Sequence, residues 1–218
     1  GYTRSTDFTY TDSSEDTCIL TGYTGTDTEL VIADRSPEGK EIVQIGANAF
    51  KSKTKLTSVI LPETITTIDA NAFTNCLRLT EIVIPESVNE IGYVAFSGCS
   101  QLSKVTLPSK LDEKNGLGAA LFENCVNLTE IVIPEGMQRI RVELFKGCTN
   151  LNSIKLPQSL TVIEDGAFDG CSALKQIEIP ENVTRICGEA FRDCTDLKKM
   201  ILPEKIQFIG NSAFQNSG

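Results

Sequence analysis

Phenylalanine recurs along most of this chain at a fixed spacing of 23 residues. With a single step of 26 residues, the recurring phenylalanines are Phe50, Phe73, Phe96, Phe122, Phe145, Phe168, Phe191 and Phe214. Prolines keep the same period, at Pro62, Pro85, Pro108, Pro134, Pro157, Pro180 and Pro203. A period of this length, sustained over so many units, is typical of architectures in which each repeat forms one structural unit.

A single repeat is too small to fold alone. The second repeat reads Ile65-x-x-Ile68-x-x-x-Ala72-Phe73-x-x-Cys76-x-x-Leu79-x-x-Ile82-x-Ile84-Pro85. Burying its apolar side chains stabilises one unit by about 10 to 20 kcal/mol, whereas ordering its residues costs about 1.5 kcal/mol each. Stacked repeats bury both flanks of every unit against their neighbours. The predicted fold is therefore a repeat solenoid, a right-handed stack of coils.

Each coil is expected to contain a strand, a turn and a second extended segment. The stretch from Leu79 to Ile84 alternates apolar and polar residues and ends at Pro85, which predicts a strand. Equivalent strands should pair in parallel as a sheet about 30 Å long on one wall. We expect a shorter extended segment at Val88 to Ile91, and a helical or 3₁₀ turn at each Gly-x-x-Ala-Phe piece, such as Gly46 to Phe50.

The period does not cover the whole chain. Residues 1–41 lack it and alternate apolar residues between turn signals, which predicts a β-hairpin cap over the first coil and its open sheet edge. Residues 42–218 should form seven full coils and a terminal half coil, in one continuous domain with the cap. Three extra residues in the polar run Asp112–Gly116 account for the longer step and predict a surface bulge.

Charge and histidine content exclude several functions. The formal net charge is -9 and the chain contains no histidine. Proteins that bind duplex nucleic acid or an anionic membrane gather lysine and arginine, so neither partner is expected. Ser-His-Asp and Cys-His catalysis and histidine-ligated metal sites are absent. No apolar run approaches the roughly 18 residues of a membrane span, so we expect no membrane insertion by these residues.

Six cysteines each follow a repeat phenylalanine by three residues, at Cys76, Cys99, Cys125, Cys148, Cys171 and Cys194. A disulfide set would need facing Cβ vectors, and a metal ladder would need convergent ligands. Equivalent side chains of stacked coils point the same way instead, so we expect a column of buried free thiols. Of the remaining two, Cys18 lies in the cap, and Cys187 is expected to be the most exposed and reactive.

Five glutamates follow the repeat prolines, at Glu63, Glu86, Glu135, Glu181 and Glu204. Retaining glycosidases place two carboxylates about 5 Å apart, but in unlike environments inside a cleft. Translation along a solenoid gives like environments on an open wall. We therefore expect a solvated acidic edge, with no catalytic pair and no cofactor, and leave weak binding of divalent cations as an alternative.

The outward-facing strand positions offer the best candidate binding site. One row is uncharged over its first four positions, Ile60, Val83, Thr106 and Val132, before it continues as Lys155, Glu178 and Ile201. The adjacent row is polar and mixed in sign, with Ser58, Glu81, Lys104 and Glu130 beside the uncharged stretch. An exposed apolar stripe rimmed by charge predicts a protein-binding surface. The alternative is that β-branched residues merely suit an exposed strand.

The unit Leu-x-x-Ile-x-Leu-Pro-x-x-Leu-x-x-Ile-Gly-x-x-Ala-Phe-x-x-Cys, over about residues 42–218, resembles the repeat of BspA-like leucine-rich-repeat proteins, which are related to treponemal leucine-rich repeats. The resemblance implies a secreted or cell-surface protein without catalysis or cofactor. It also implies a role in adhesion, through binding to a protein or glycan on a host or neighbouring cell. A structural spacer or stalk with no selective ligand is the alternative. The sequence leaves the partner and the oligomeric state open.

Overall fold

The structure, a computed structural model, describes residues 1–218 and consists almost entirely of short strands and turns. The strands are β1 (Phe8–Asp12), β2 (Thr17–Tyr23), β3 (Glu29–Val31), β4 (Glu41–Ile45), β5 (Ser58–Ile60), β6 (Thr67–Ile68), β7 (Glu81–Val83), β8 (Glu90–Ile91), β9 (Lys104–Thr106), β10 (Glu130–Val132), β11 (Arg139–Ile140), β12 (Ser153–Lys155), β13 (Val162–Ile163), β14 (Arg185–Ile186) and β15 (Phe208–Ile209). They are stacked as the coils of a solenoid, so the predicted fold class is confirmed.

The three-residue strands, which precede the repeat prolines in the coils and include β3 of the N-terminal segment, form one wall, here called the front wall. It comprises β3, β5, β7, β9, β10 and β12, which pair in parallel as β3 with β5, β7 with β9, and β10 with β12. The last two coils add a single bridge, between Gln176 and Lys199. The expected sheet is therefore a series of paired short strands, and its final two positions are joined only by this bridge.

The second extended segment of each coil forms a back wall of its own parallel sheets. One sheet has the order β1-β2-β4-β6-β8, in which only β1 and β2 pair antiparallel, and the other has the order β11-β13-β14-β15. Between them lies the insertion, where Asp112 accepts hydrogen bonds from the amides of Lys114 and Asn115 at 3.1 and 2.7 Å. A bridge between Ile91 and Leu117 and a hydrogen bond from the Gln138 amide to the Glu113 carbonyl, at 3.0 Å, join the coils across this point. The extra residues bulge into solvent and divide the back wall.

The third side of each coil, the turn wall, holds the phenylalanines. Consecutive rings from Phe50 to Phe214 stack with centroids 5.0 to 6.0 Å apart and planes 2 to 21° from parallel. Backbone bonds join the coils beside them, as where the Phe73 amide donates to the Ala95 carbonyl at 2.7 Å. The rings form one continuous file through the molecule, because every coil repeats the same backbone path.

The turn wall is not helical, contrary to the expectation for its Gly-x-x-Ala-Phe segments. Single i to i+3 bonds do close these turns, as from the Ala72 amide to the Asp69 carbonyl at 3.3 Å. The residues two before and two after each phenylalanine, however, have positive φ, for example 61° at Asn71 and 59° at Asn75. A left-handed residue every few positions prevents helical continuation. The one 3₁₀ helix is Ser5–Asp7, in the cap.

The N-terminal end is closed by the antiparallel hairpin of β1 and β2. Phe8 packs against Tyr23 at 5.0 Å and edge-on against Phe50 at 6.4 Å, which covers the first ring of the file. The hairpin strand β2 also pairs in parallel with β4, and β3 starts the front wall. Residues 1–41 thus supply both a cap and the first strands of two walls, and their buried side chains belong to the same core of 58 residues as the coils.

Candidate binding face

The front-wall strands present alternate side chains to solvent. In β7 the central Ile82 is buried, whereas Glu81 and Val83 are exposed, and β9 and β10 show the same pattern. Side chains alternate across a strand, so each coil buries one residue and adds two outward residues to the wall. The parallel register stacks these outward residues into two straight rows.

The first row brings together the four predicted uncharged residues. Ile60, Val83 and Val132 are 58%, 63% and 64% exposed, and Val83 pairs directly with Thr106. The register of β3 with β5 places Val31 beside Ile60 at the head of the row. The apolar stripe is defined by these residues, Val31, Ile60, Val83, Thr106 and Val132. The sequence pattern missed Val31 because it lies outside the 23-residue period.

The second row is polar, with Ser58, Glu81, Lys104 and Glu130 beside the apolar stripe. Glu81 is the cross-strand neighbour of Lys104, and Glu29 joins the row opposite Ser58. The ion pairs of the structure all lie elsewhere, so Glu81, Lys104 and Glu130 have no oppositely charged group within 4.0 Å. These charges are directed to solvent and are available to a partner.

The glutamates after the repeat prolines border the other side of the stripe and are all exposed. Glu86 accepts hydrogen bonds from the Ser109 amide and hydroxyl at 2.9 and 2.8 Å, and Glu135 accepts one from the Gln158 amide at 3.1 Å. The hydrogen bonds from Ser109 lower the pKa of Glu86. All five carboxylates are thus exposed on an open wall, whereas glycosidase pairs lie in unlike environments inside a cleft.

Two open depressions lie along the front wall, between the outward strand residues and the proline turns. One, of about 580 Å³, is lined by Thr106, Val132, Pro108 and Pro134 among others. The second, of about 670 Å³, lies towards the C-terminus and is lined largely by polar residues such as Gln176 and Glu178. Two members of the apolar stripe, Thr106 and Val132, therefore line the first depression.

The six repeat cysteines form a buried column of free thiols, as expected from the sequence. Each thiol donates to the carbonyl of the phenylalanine in the preceding coil, for example Cys148 to Phe122 at 3.1 Å. In the last coil Ser217 takes the same position and donates to Phe191 at 2.8 Å. Burial raises the pKa of Cys148 well above its ordinary value. The thiols of this column thus act as hydrogen-bond donors between neighbouring coils.

Cys187 differs from the other thiols in its exposure. It is the one cysteine that is only half-buried, as the sequence predicted. Partial burial and the nearby Asp165 nevertheless raise its pKa. The reactive form of cysteine is the thiolate, so the expected reactivity is opposed by its surroundings. No group of three or more cysteine or carboxylate side chains is placed to hold a metal ion.

Comparison with protein families decides the classification. Residues 38–116 and 115–218 match the family described as "BspA type Leucine rich repeat region", in six copies. The chain belongs to the BspA-type leucine-rich-repeat family. This BspA-type chain has no significant match among curated proteins.

Solved structures of bacterial leucine-rich-repeat proteins share the fold. A leucine-rich repeat protein from Bacteroides ovatus is 33% identical, with a TM-score of 0.89 over 97% of this chain and 56% of that one. A leucine rich cell surface protein from Faecalibacterium prausnitzii is 32% identical, with a TM-score of 0.76 over 89% and 52%. The T. pallidum leucine-rich repeat protein is 28% identical, with a TM-score of 0.84 over 91% of both chains.

The BspA-type chain spans about half the length of the first two of these proteins. Its structure contains no helix with the length and apolar character required to cross a membrane.

Proposed function

We propose that this chain is a non-catalytic binding or adhesion module of a secreted or cell-surface protein, and that its front wall holds a protein or glycan of a host or neighbouring cell. Its BspA-type repeats support a binding role, because stacked repeats create extended concave surfaces suited to recognition. The likeness to a protein described as a leucine rich cell surface protein supports the location.

The observation that carries the proposal is the confinement of the apolar stripe to one part of the wall. If β-branched residues were present only because they suit exposed strands, they would continue along every coil. The row instead changes to Lys155 and Glu178 directly after Val132, and both residues are exposed, before a single apolar residue, Ile201, at the last position. Lys155 pairs directly with Val132 in the same parallel register, so strand geometry alone does not require an apolar residue at these outward positions.

The test is a paired substitution in the stripe, Val83→Glu with Val132→Glu. Both side chains point to solvent, so the variant should fold and melt like the parent. The immobilised chain is exposed to extracellular proteins of epithelial cells and to mucin glycans, and bound material is quantified. We expect at least a tenfold loss of binding, because each glutamate would have to be desolvated against the partner.

A matched control places the same charges elsewhere, as Thr161→Glu with Gln207→Glu. These positions are exposed and lie outside the front-wall strands, so this variant should bind like the parent. Equal binding by the stripe variant, or no binding by the parent to any protein or glycan, would overturn the proposal. Absence of binding would favour the spacer or stalk, which needs no selective face.

A further inference from the structure

The apolar stripe is bordered by carboxylates on both sides. The row of outward residues on one side contributes three, and the row that follows the repeat prolines contributes three more. These six residues are Glu29, Glu81 and Glu130 on the first side and Glu63, Glu86 and Glu135 on the second. The coil of Thr106 is the exception, since it carries Lys104 and Lys110. Around the stripe, acidic side chains therefore outnumber basic ones.

None of these six carboxylates is neutralised within the molecule. All are exposed, and none lies within 4.0 Å of a basic side chain. The hydrogen bonds that Glu86 and Glu135 accept come from uncharged donors. The two bonds from Ser109 lower the pKa of Glu86 and so favour its ionised form. The stripe is thus flanked by fixed negative charge that lacks counter-charge of its own.

This arrangement distinguishes between classes of partner. A surface that covers the stripe must also approach the flanking carboxylates, and desolvating a charge without a compensating group is costly. An acidic protein or an anionic membrane would in addition be repelled by like charge. A partner with apolar side chains between lysine or arginine side chains satisfies both the stripe and its borders.

We propose that the front wall between β3 and β10 binds a basic amphipathic polypeptide segment, with its apolar side chains on the stripe and its lysine or arginine side chains towards the flanking glutamates. This inference rests on the proposed function and names its partner. Five stripe positions at the strand spacing of about 4.8 Å extend over about 19 Å, which an amphipathic helix of about 13 residues covers at a rise of 1.5 Å per residue.

The contact is made by side chains. The stripe runs across the middle of the front wall, and the backbone groups of its paired strands already bond to neighbouring coils. Beyond Val132 the wall changes character, because its outward rows continue with Lys155, Glu178 and Lys199. The surface suited to the basic segment of the partner therefore ends near β10.

The experiment measures the binding of three fluorescent peptides of 18 residues by anisotropy, at low and high salt. The first carries leucines on one helical face flanked by lysines, the second has glutamates in place of the lysines, and the third keeps the lysines but has serines in place of the leucines. We expect the first peptide to bind at least tenfold more tightly than either of the others, and its affinity to fall at high salt.

Two matched variants locate the site. Glu81→Lys with Glu130→Lys should lower the affinity for the first peptide at least tenfold. Glu181→Lys with Glu204→Lys makes the same charge change outside the stripe and should change that affinity less than threefold. Val83→Ser with Val132→Ser should also weaken it, without any change of charge. Thermal melts of all three variants verify that each one is folded.

Equal binding of the first and third peptides would overturn the inference, because charge alone would then suffice. Stronger binding of the glutamate peptide, or no binding of any peptide, would overturn it as well. These peptide results do not test the proposed function. That proposal is tested by whether the variant with Val83→Glu and Val132→Glu loses binding to extracellular proteins or glycans.

Discussion

At the scale of single residues, the most buried charge in the chain is Asp169, only 5% exposed. Arg192 of the next coil binds both of its carboxylate oxygens, with Nε to Oδ1 at 3.1 Å and a terminal guanidinium nitrogen to Oδ2 at 2.6 Å. The same arginine reaches Glu189 at 3.0 Å. A bidentate pair of this kind is a strong, directional contact, and its hydrogen bonds raise the pKa of Arg192.

Removing this arginine should destabilise the chain measurably. We expect Arg192→Ala to lower the free energy of unfolding by about 1 to 3 kcal/mol, because it leaves a buried carboxylate without its partner. Lys146 is a matched control: it also directly follows a repeat phenylalanine, but its contact with Glu143 is exposed and 3.7 Å long. Lys146→Ala should cost less than about 1 kcal/mol. Urea denaturation measures the free energy of unfolding of both variants. Equal decreases would contradict a stabilising role for the pair of Arg192 and Asp169.

Sequence alone could not have identified this pair. Asp169 and Arg192 occupy the same repeat position, but that position also holds Lys51, Thr74 and Ser97, so nothing in the pattern marks a buried charge. Val31 was missed for a related reason, because only the register of β3 with β5 aligns it with Ile60. The repeating members of the stripe could be predicted, since strand alternation fixes which side of the wall each residue faces.

At the scale of elements, the back-wall strands show how much burial depends on a following coil. Isoleucines at the second position of the two-residue strands are fully buried, as at Ile163 and Ile186. Ile209 occupies the same position in β15, the last strand of the structure, and is 46% exposed. The same side chain in the same local geometry thus makes different contributions to stability.

This contrast predicts unequal effects of one substitution. Ile186→Ala should lower the free energy of unfolding by about 2 to 5 kcal/mol, because it removes buried methyl groups and leaves a cavity between coils. Ile209→Ala should cost less than about 1 kcal/mol, as expected for an exposed position. Thermal or urea unfolding of the two variants provides the comparison. Similar losses would mean that the strands, rather than the stacking of coils, determine stability.

The period predicted the strands well and the turns poorly. Each repeat strand of the front wall alternates and is followed two residues later by a proline, so its place follows from local chemistry. On the turn wall, Asn75, Gly98 and Asn124 are residue types that tolerate positive φ, and this signal was available. Val94 and Glu143 also have positive φ, although neither residue type favours it. Bonds to the next coil hold them there, as where the Val94 amide donates to Ala119 at 3.1 Å.

At the scale of the whole molecule, the column of thiols couples stability to alkaline pH. Burial raises the pKa of Cys125, Cys148, Cys171 and Cys194, in Cys125 and Cys194 to about 12. In the unfolded chain these thiols ionise near their ordinary value. The folded state therefore keeps protons that the unfolded state releases as the pH rises past that value.

Stability should accordingly fall as the pH increases above about 9. Where the unfolded state binds fewer protons, the free energy of unfolding decreases with pH, by up to about 1.4 kcal/mol per pH unit for each such thiol. Urea unfolding between pH 8 and 10 measures this slope. Cys171→Ala removes one thiol from the column, so its slope should be smaller than that of the parent, whatever its stability at pH 8. A flat profile, or identical slopes for the two proteins, would show that the thiols ionise as readily in the folded chain, and hence that the coils do not exclude water from the column.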